Sequence, residues 1–128
     1  MNDCIIGIGS NIEADIHIPE MLKLLACDVE VLKVSQMVQT KPIGITEQPD
    51  YTNGAVLIRT ELDRKALSSY LKKLEDRMGR NRSQAKFGPR NIDLDILIWN
   101  NTIVDPDYYT RDFLRNSAAE LGFDENRK

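Results

Sequence analysis

The apolar residues of this chain change period along its length, and the order of those changes limits what it can fold into. Cys4-Ile5-Ile6-Gly7-Ile8-Gly9 is a short apolar run closed by Gly9-Ser10-Asn11, which predicts a strand and a turn. Ile18, Met21, Leu22, Leu24, Leu25 and Ala26 then recur at helical spacing, predicting a helix that starts near Pro19. Val29 to Val38 returns to near alternation and reads as one strand, ending in the loop Thr40-Lys41-Pro42-Ile43-Gly44. Beyond Gln48-Pro49-Asp50, Ala55-Val56-Leu57-Ile58 form a third strand, extended by Tyr51 and Thr60. Leu67, Tyr70, Leu71, Leu74 and Met78 mark a second helix. Asp63 is its N-cap, Leu62 and Leu67 have the spacing of a hydrophobic staple, and Gly79 is placed to close it in the left-handed conformation. Ile92 to Trp99 is the last clear strand. Alternation puts Ile92, Leu94, Ile96 and Ile98 on one face and Asp93, Asp95, Leu97 and Trp99 on the other.

Strand, helix, strand, strand, helix, strand is the order of an α+β, ferredoxin-like sandwich: an antiparallel sheet with both helices on one face. After Trp99 the periodic signals fade. With 128 residues the chain is expected to form a single domain over 1–128, large enough to bury a core without disulfides. No apolar run approaches the roughly 18 residues of a membrane span, and Met1-Asn2-Asp3 lacks the basic start of a signal peptide. Cys4 and Cys27 lie in apolar stretches and read as reduced, buried thiols. The expectation is a cytoplasmic monomer with no membrane or nucleic-acid partner. His17 is the only histidine, which excludes a cysteine–histidine metal site.

Charge is unevenly spread. Lys72 to Arg90 holds seven basic residues against two acids, a local +5 in a chain whose net charge is −3. Such an island suits an anion. Lys72, Lys73 and Arg77 read as a solvated helix face, whereas Arg80, Arg82 and Arg90 flank the loop that leads into the last strand. Asp93 and Asp95, at i and i+2, point the same way. Two close carboxylates suit a hard cation such as Mg²⁺, completed by waters and phosphate oxygens. The same spacing also fits a strand-edge pair with an arginine on each acid. Arginines beside a metal-binding pair make a polyphosphate site, which acts by positioning and charge neutralisation. Around the third strand, Tyr51 and Asn53 alternate onto one face and offer a ring and an amide to a flat, polar heterocycle. A capping Asn and a half-buried Tyr would look the same in sequence.

These stretches together resemble the 6-hydroxymethyl-7,8-dihydropterin pyrophosphokinases of folate biosynthesis. The resemblance covers about residues 4–121. It rests on Ile8-Gly9-Ser10-Asn11, Thr40 to Gly44, Gln48-Pro49-Asp50-Tyr51-Thr52-Asn53, Glu75, Gly79-Arg80-Asn81-Arg82 and above all Gly88-Pro89-Arg90-Asn91-Ile92-Asp93-Leu94-Asp95-Ile96-Leu97. It implies transfer of the β,γ-pyrophosphoryl group of ATP to a pterin hydroxymethyl, releasing AMP. It also implies two Mg²⁺ ions on Asp93 and Asp95, with Arg80, Arg82 and Arg90 on the phosphates. Arg80, Arg90, Asp93 and Asp95 would carry the catalysis, and Glu75, Ile96, Tyr108 and Arg111 would lie nearer the nucleoside. The pterin would stack between Tyr51 and Phe113 and be read by Asn53 with Thr40, Pro42 and Ile43. The chain departs from the family pattern at Phe87, Ser83, Pro106-Asp107-Tyr108 and Asn116-Ser117-Ala118, and the resemblance implies a C-terminally shortened member. The alternative is a paralogue that binds pterin or nucleotide with little or altered catalysis.

Overall fold

The computed structural model describes residues 1–42, 44, 47–79 and 91–125. Its strands are β1 (Asn2–Ser10), β2 (Glu30–Val34), β3 (Val38–Thr40), β4 (Tyr51–Thr60), β5 (Asp93–Trp99) and β6 (Thr102–Ile103). They form one antiparallel sheet in the order β2-β4-β1-β5-β6, with β3 also paired to β4. The two apolar strands β1 and β4 therefore lie at the centre. Helices α1 (Ala14–Asp28) and α2 (Arg64–Arg77) share one face, as the order of elements predicts. There Ile6 and Ile8 of β1, Val56 and Ile58 of β4 and Leu94 of β5 pack against Met21 and Leu25 of α1 and Leu67, Leu71 and Leu74 of α2. Asp63 caps α2 by accepting the Ala66 amide at 2.7 Å, and Gly79 closes it at φ +86°.

The opposite face carries a second core, because α3 (Asp107–Thr110) and α4 (Asp112–Glu120) return the chain to it. Leu114, Ala118 and Leu121 seat α4 on Ile5, Ala55, Leu97 and Ile98. Leu114, Ser117, Ala118 and Leu121 recur at i, i+3, i+4 and i+7, a helical signal in a stretch where the wider pattern fades. Among the described residues no helix is long and apolar enough to cross a membrane.

Three local expectations change. The predicted strand over 29–38 is two strands. Ser35 interrupts it: its hydroxyl takes the Ala55 amide at 2.8 Å, so residues 35–37 bulge and Met37 fills the space above Gly54. The first helix starts five residues before Pro19. Glu13, at φ +45°, turns the chain, and its carbonyl accepts the Ile16 and His17 amides at 2.9 Å, so the first turn forms without the amide that Pro19 lacks. In β5 the alternation breaks. Ile6 pairs with Ile96 but Ile5 pairs with Ile98, which leaves Leu97 as a bulge residue. Asp93, Asp95 and Leu97 share a face as expected. Ile98 joins them, and Trp99 turns to the helix side.

The cysteines also separate. Cys4 is buried in β1, and burial pushes its thiol up to about 12. Cys27 is exposed at the end of α1, on the solvent side of the helix, and the two form no disulfide. A thiol reagent at pH 8 is expected to modify one cysteine of the native protein quickly and the second only on unfolding. Two fast equivalents would show that β1 opens readily.

Candidate active site

Cross-strand register assembles the candidate residues. Gly9 of β1 pairs with Asn53 on one side and Asp93 on the other, and Gly7 pairs with Ala55 and Asp95. Thr40 of β3 pairs with Tyr51 of β4. Side chains of Thr40, Tyr51, Asn53, Asp93 and Asp95 thus project from one sheet face, the face opposite α1 and α2. Asn53 is nearly buried, and its amide donates to the Thr40 hydroxyl. Gly9 leaves the space between Asn53 and Asp93 open. A methyl group there would meet Asn53 Oδ1 at 3.2 Å, Tyr51 Cδ1 at 3.8 Å and Asp93 Cβ at 3.9 Å. The result is a row of polar side chains over a glycine floor.

The loop before Tyr51 is held from β1. Asn11 is buried, and its side-chain amide donates to Gln48 Oε1 at 2.8 Å and the Pro49 carbonyl at 3.1 Å. Two separate sequence stretches, 8–11 and 48–53, meet there. Leu114, at the start of α4, reaches the same face: it lies 3.6 Å from where a Gly7 side chain would begin. Phe113, its half-buried neighbour, packs at the edge of that second core.

A cleft of about 730 Å³ opens on the other side of the acid pair. Arg64, Lys65, Ser68, Lys72 and Glu75 of α2 line it, with Asp93, Asp95 and Ile96 of β5 and residues 104–106. Lys65, Ser68, Lys72 and Glu75 fall at i, i+3, i+7 and i+10, one stripe of the helix. Lys72, read from sequence as part of a solvated face, is exposed and also a wall of the cleft. Its helical register with Glu75 is the signal that finds it. Glu75 is 3% exposed, and its Oε2 accepts the Leu94 amide at 2.7 Å, joining α2 to the strand that bears the acids.

Asp93 is half-buried and Asp95 exposed, so the pair faces water. The donor set fits Mg²⁺, because Asp93 and Asp95 offer two hard carboxylates on one face. Mg²⁺ keeps waters and takes substrate phosphates for the rest. Two other expected nucleoside contacts are not brought to the cleft. Tyr108 is 5% exposed, packed edge-on against Tyr109 and Phe123, and burial raises its phenol pKa. Arg111 pairs with Asp107 at 3.5 Å in the corner between α3 and α4. Pro42 is half-buried just beyond β3. Ile43, Arg80, Arg82 and Arg90 lie outside the described residues.

The chain is similar in sequence to several named proteins. A Bacillus subtilis protein named 2-amino-4-hydroxy-6-hydroxymethyldihydropteridine pyrophosphokinase is 33% identical over 94% of this chain and 78% of its own length. Proteins of the same name from Haemophilus influenzae and Campylobacter jejuni are 33% and 35% identical over 77% of this chain. The matched stretch spans 63% and 64% of those two relatives. Residues 5–122 match the family described as 7,8-dihydro-6-hydroxymethylpterin-pyrophosphokinase, and the chain belongs to that family.

Proposed function

We infer that the chain transfers pyrophosphate from ATP to the hydroxymethyl group of 6-hydroxymethyl-7,8-dihydropterin, yielding AMP and the pterin diphosphate for folate biosynthesis. One observation carries this reading: the acid pair stands where the α2 cleft meets the sheet face bearing Thr40, Tyr51 and Asn53. The nucleotide occupies the cleft along Lys72, Glu75 and Ile96, and the pterin lies over Gly9, with Tyr51 and Phe113 on its faces and Asn53 on its edge. The substrate hydroxyl oxygen forms a bond to the β-phosphorus and gives up its proton to water, the bond from that phosphorus to the α,β-bridging oxygen breaks, and AMP leaves with that electron pair. Two Mg²⁺ ions on Asp93 and Asp95 would neutralise charge on the triphosphate. Arg80, Arg82 and Arg90 are assigned to the same phosphates, where arginine forks match the oxygens. Holding both substrates across one pair of carboxylates makes the encounter intramolecular. The protein is taken as a single cytoplasmic domain that acts as a monomer, without a nucleic-acid or membrane partner.

Supplying ATP, the hydroxymethyl dihydropterin and Mg²⁺ together is expected to yield AMP and pterin diphosphate in equal amounts, and chelating the metal to stop both. Absence of AMP with all three present would overturn the catalytic reading. Calorimetric binding of pterin or nucleotide in that protein would then identify a binding module.

A further inference from the structure

Two side chains tie the last turn of α2 to the start of β5, one on each side of Asp93. The Asn91 amide donates to the Met78 carbonyl at 3.0 Å and to the Gly79 carbonyl at 3.4 Å. Three residues on, the Leu94 amide donates to the buried Glu75 carboxylate at 2.7 Å. The backbone that carries Asp93 is therefore fixed at both ends to a single helical turn. Gly79 makes the first tie possible. Its φ of +86° favours glycine, and a methyl group there would lie 3.0 Å from the Asn91 amide nitrogen. The two carbonyls that Asn91 engages stand at the C-terminal end of a helix, where they lack partners within it. Asn91 thus satisfies the helix and locates the strand with one group.

We propose that Asn91 is a positioning residue for the Asp93 carboxylate: it sets where the acid pair stands relative to the nucleotide cleft. This rests on the functional reading above. An amide suits the task because it donates two hydrogens without adding charge beside the acids. Asn91→Ala removes both donors. Asn91→Ser keeps a single donor, one bond closer to the backbone.

The test is calorimetric binding of a non-hydrolysable ATP analogue, with Mg²⁺ and separately with a chelator. Wild type is expected to bind far more tightly with Mg²⁺. Asn91→Ala is expected to lose roughly tenfold of that metal-dependent gain, the lower end of the effect of groups that orient metal ligands. Its affinity in chelator is expected to match wild type, and Asn91→Ser to fall between. A purely structural role would lower the melting temperature and leave the metal-dependent gain intact, which would overturn the proposal. Failure of Asn91→Ala to fold passes the decision to Asn91→Ser, and failure of both to fold overturns it too. If wild type shows no metal-dependent gain at all, the functional reading fails instead, which is a different outcome.

Discussion

Asp95→Ala is expected to abolish Mg²⁺-dependent AMP formation, by about 10³-fold or more, while the protein stays folded. The two halves of that expectation come from different features of the same residue. Asp95 is exposed on β5, and its pairing with Gly7 is made by backbone groups that the substitution keeps. Exposed substitutions away from packing and caps usually change stability by less than about 0.5 kcal/mol. The apolar residues that hold β5 in place are Leu94 and Ile96 on one face and Leu97 and Ile98 on the other. The carboxylate itself stands with Asp93 between the cleft and the glycine floor, so its loss removes one of two charges available to a metal triphosphate. Groups that act only by orienting a ligand cost roughly 10–100-fold when removed, and a direct ligand costs more. Asp95→Asn separates charge from shape and is expected to be nearly as inactive. AMP formation and a thermal melt on the same sample decide the matter. Retained turnover would remove Asp95 from the metal site, and loss of folding would make the pair structural.

Much of the fold is legible in the sequence because local chemistry and long-range packing agree there. Asp63, Leu67, Leu71 and Gly79 specify α2 by capping, periodicity and termination, and the structure uses each in that role. Where a partner strand decides, one chain segment is not enough. Ser35 looks like an ordinary polar position in a strand, and only β4 shows that its hydroxyl replaces a ladder bond to Ala55. The bulge at Leu97 has no signature in alternation, since it arises from how β5 pairs with β1, and it turns Ile98 and Trp99 over. Pro19 suggests a helix start because proline favours first turns, yet here the turn before it is set by Glu13.

The candidate site divides in the same way. Asp93 with Asp95, and Tyr51 with Asn53, are pairs at i and i+2 within single strands, so alternation places each pair on one face. That the two pairs share a face, with Gly9 between them, is a matter of register across three strands. The family pattern puts Tyr108 near the nucleoside, but in this chain its ring is part of the second core, held edge-on by Phe123. Its apolar surroundings combine Phe123 with the second core, whose Ile5, Ala55 and Leu97 come from three separate strands. Burial of the Glu75 carboxylate is likewise invisible until β5 supplies the Leu94 amide.

Gly9→Ala is expected to raise KM for the pterin roughly 10–200-fold, the effect of one carbon in a close-fitting pocket, with a much smaller change in KM for ATP. Glycine inside a strand costs about 0.5–1 kcal/mol relative to alanine, so a larger residue here would serve the strand alone. The site explains why none is present. The added methyl would lie 3.2 Å from Asn53 Oδ1, closer than ordinary contact, and Asn53 is held by Thr40 and nearly buried, so it has little room to yield. It would also occupy the floor between Asn53 and Asp93, where the flat substrate lies against the backbone. Gly7→Ala provides the comparison, because its methyl would meet Leu114 at 3.6 Å and the Asp95 carbonyl at 3.8 Å, both ordinary contacts. That variant is expected to change the pterin KM by less than about threefold. Steady-state kinetics in each substrate, with a melt to confirm folding, distinguishes the outcomes. Equal rises in both KM values would mean that Gly9 supports the sheet as a whole, whereas a rise confined to the pterin places the heterocycle on the glycine floor.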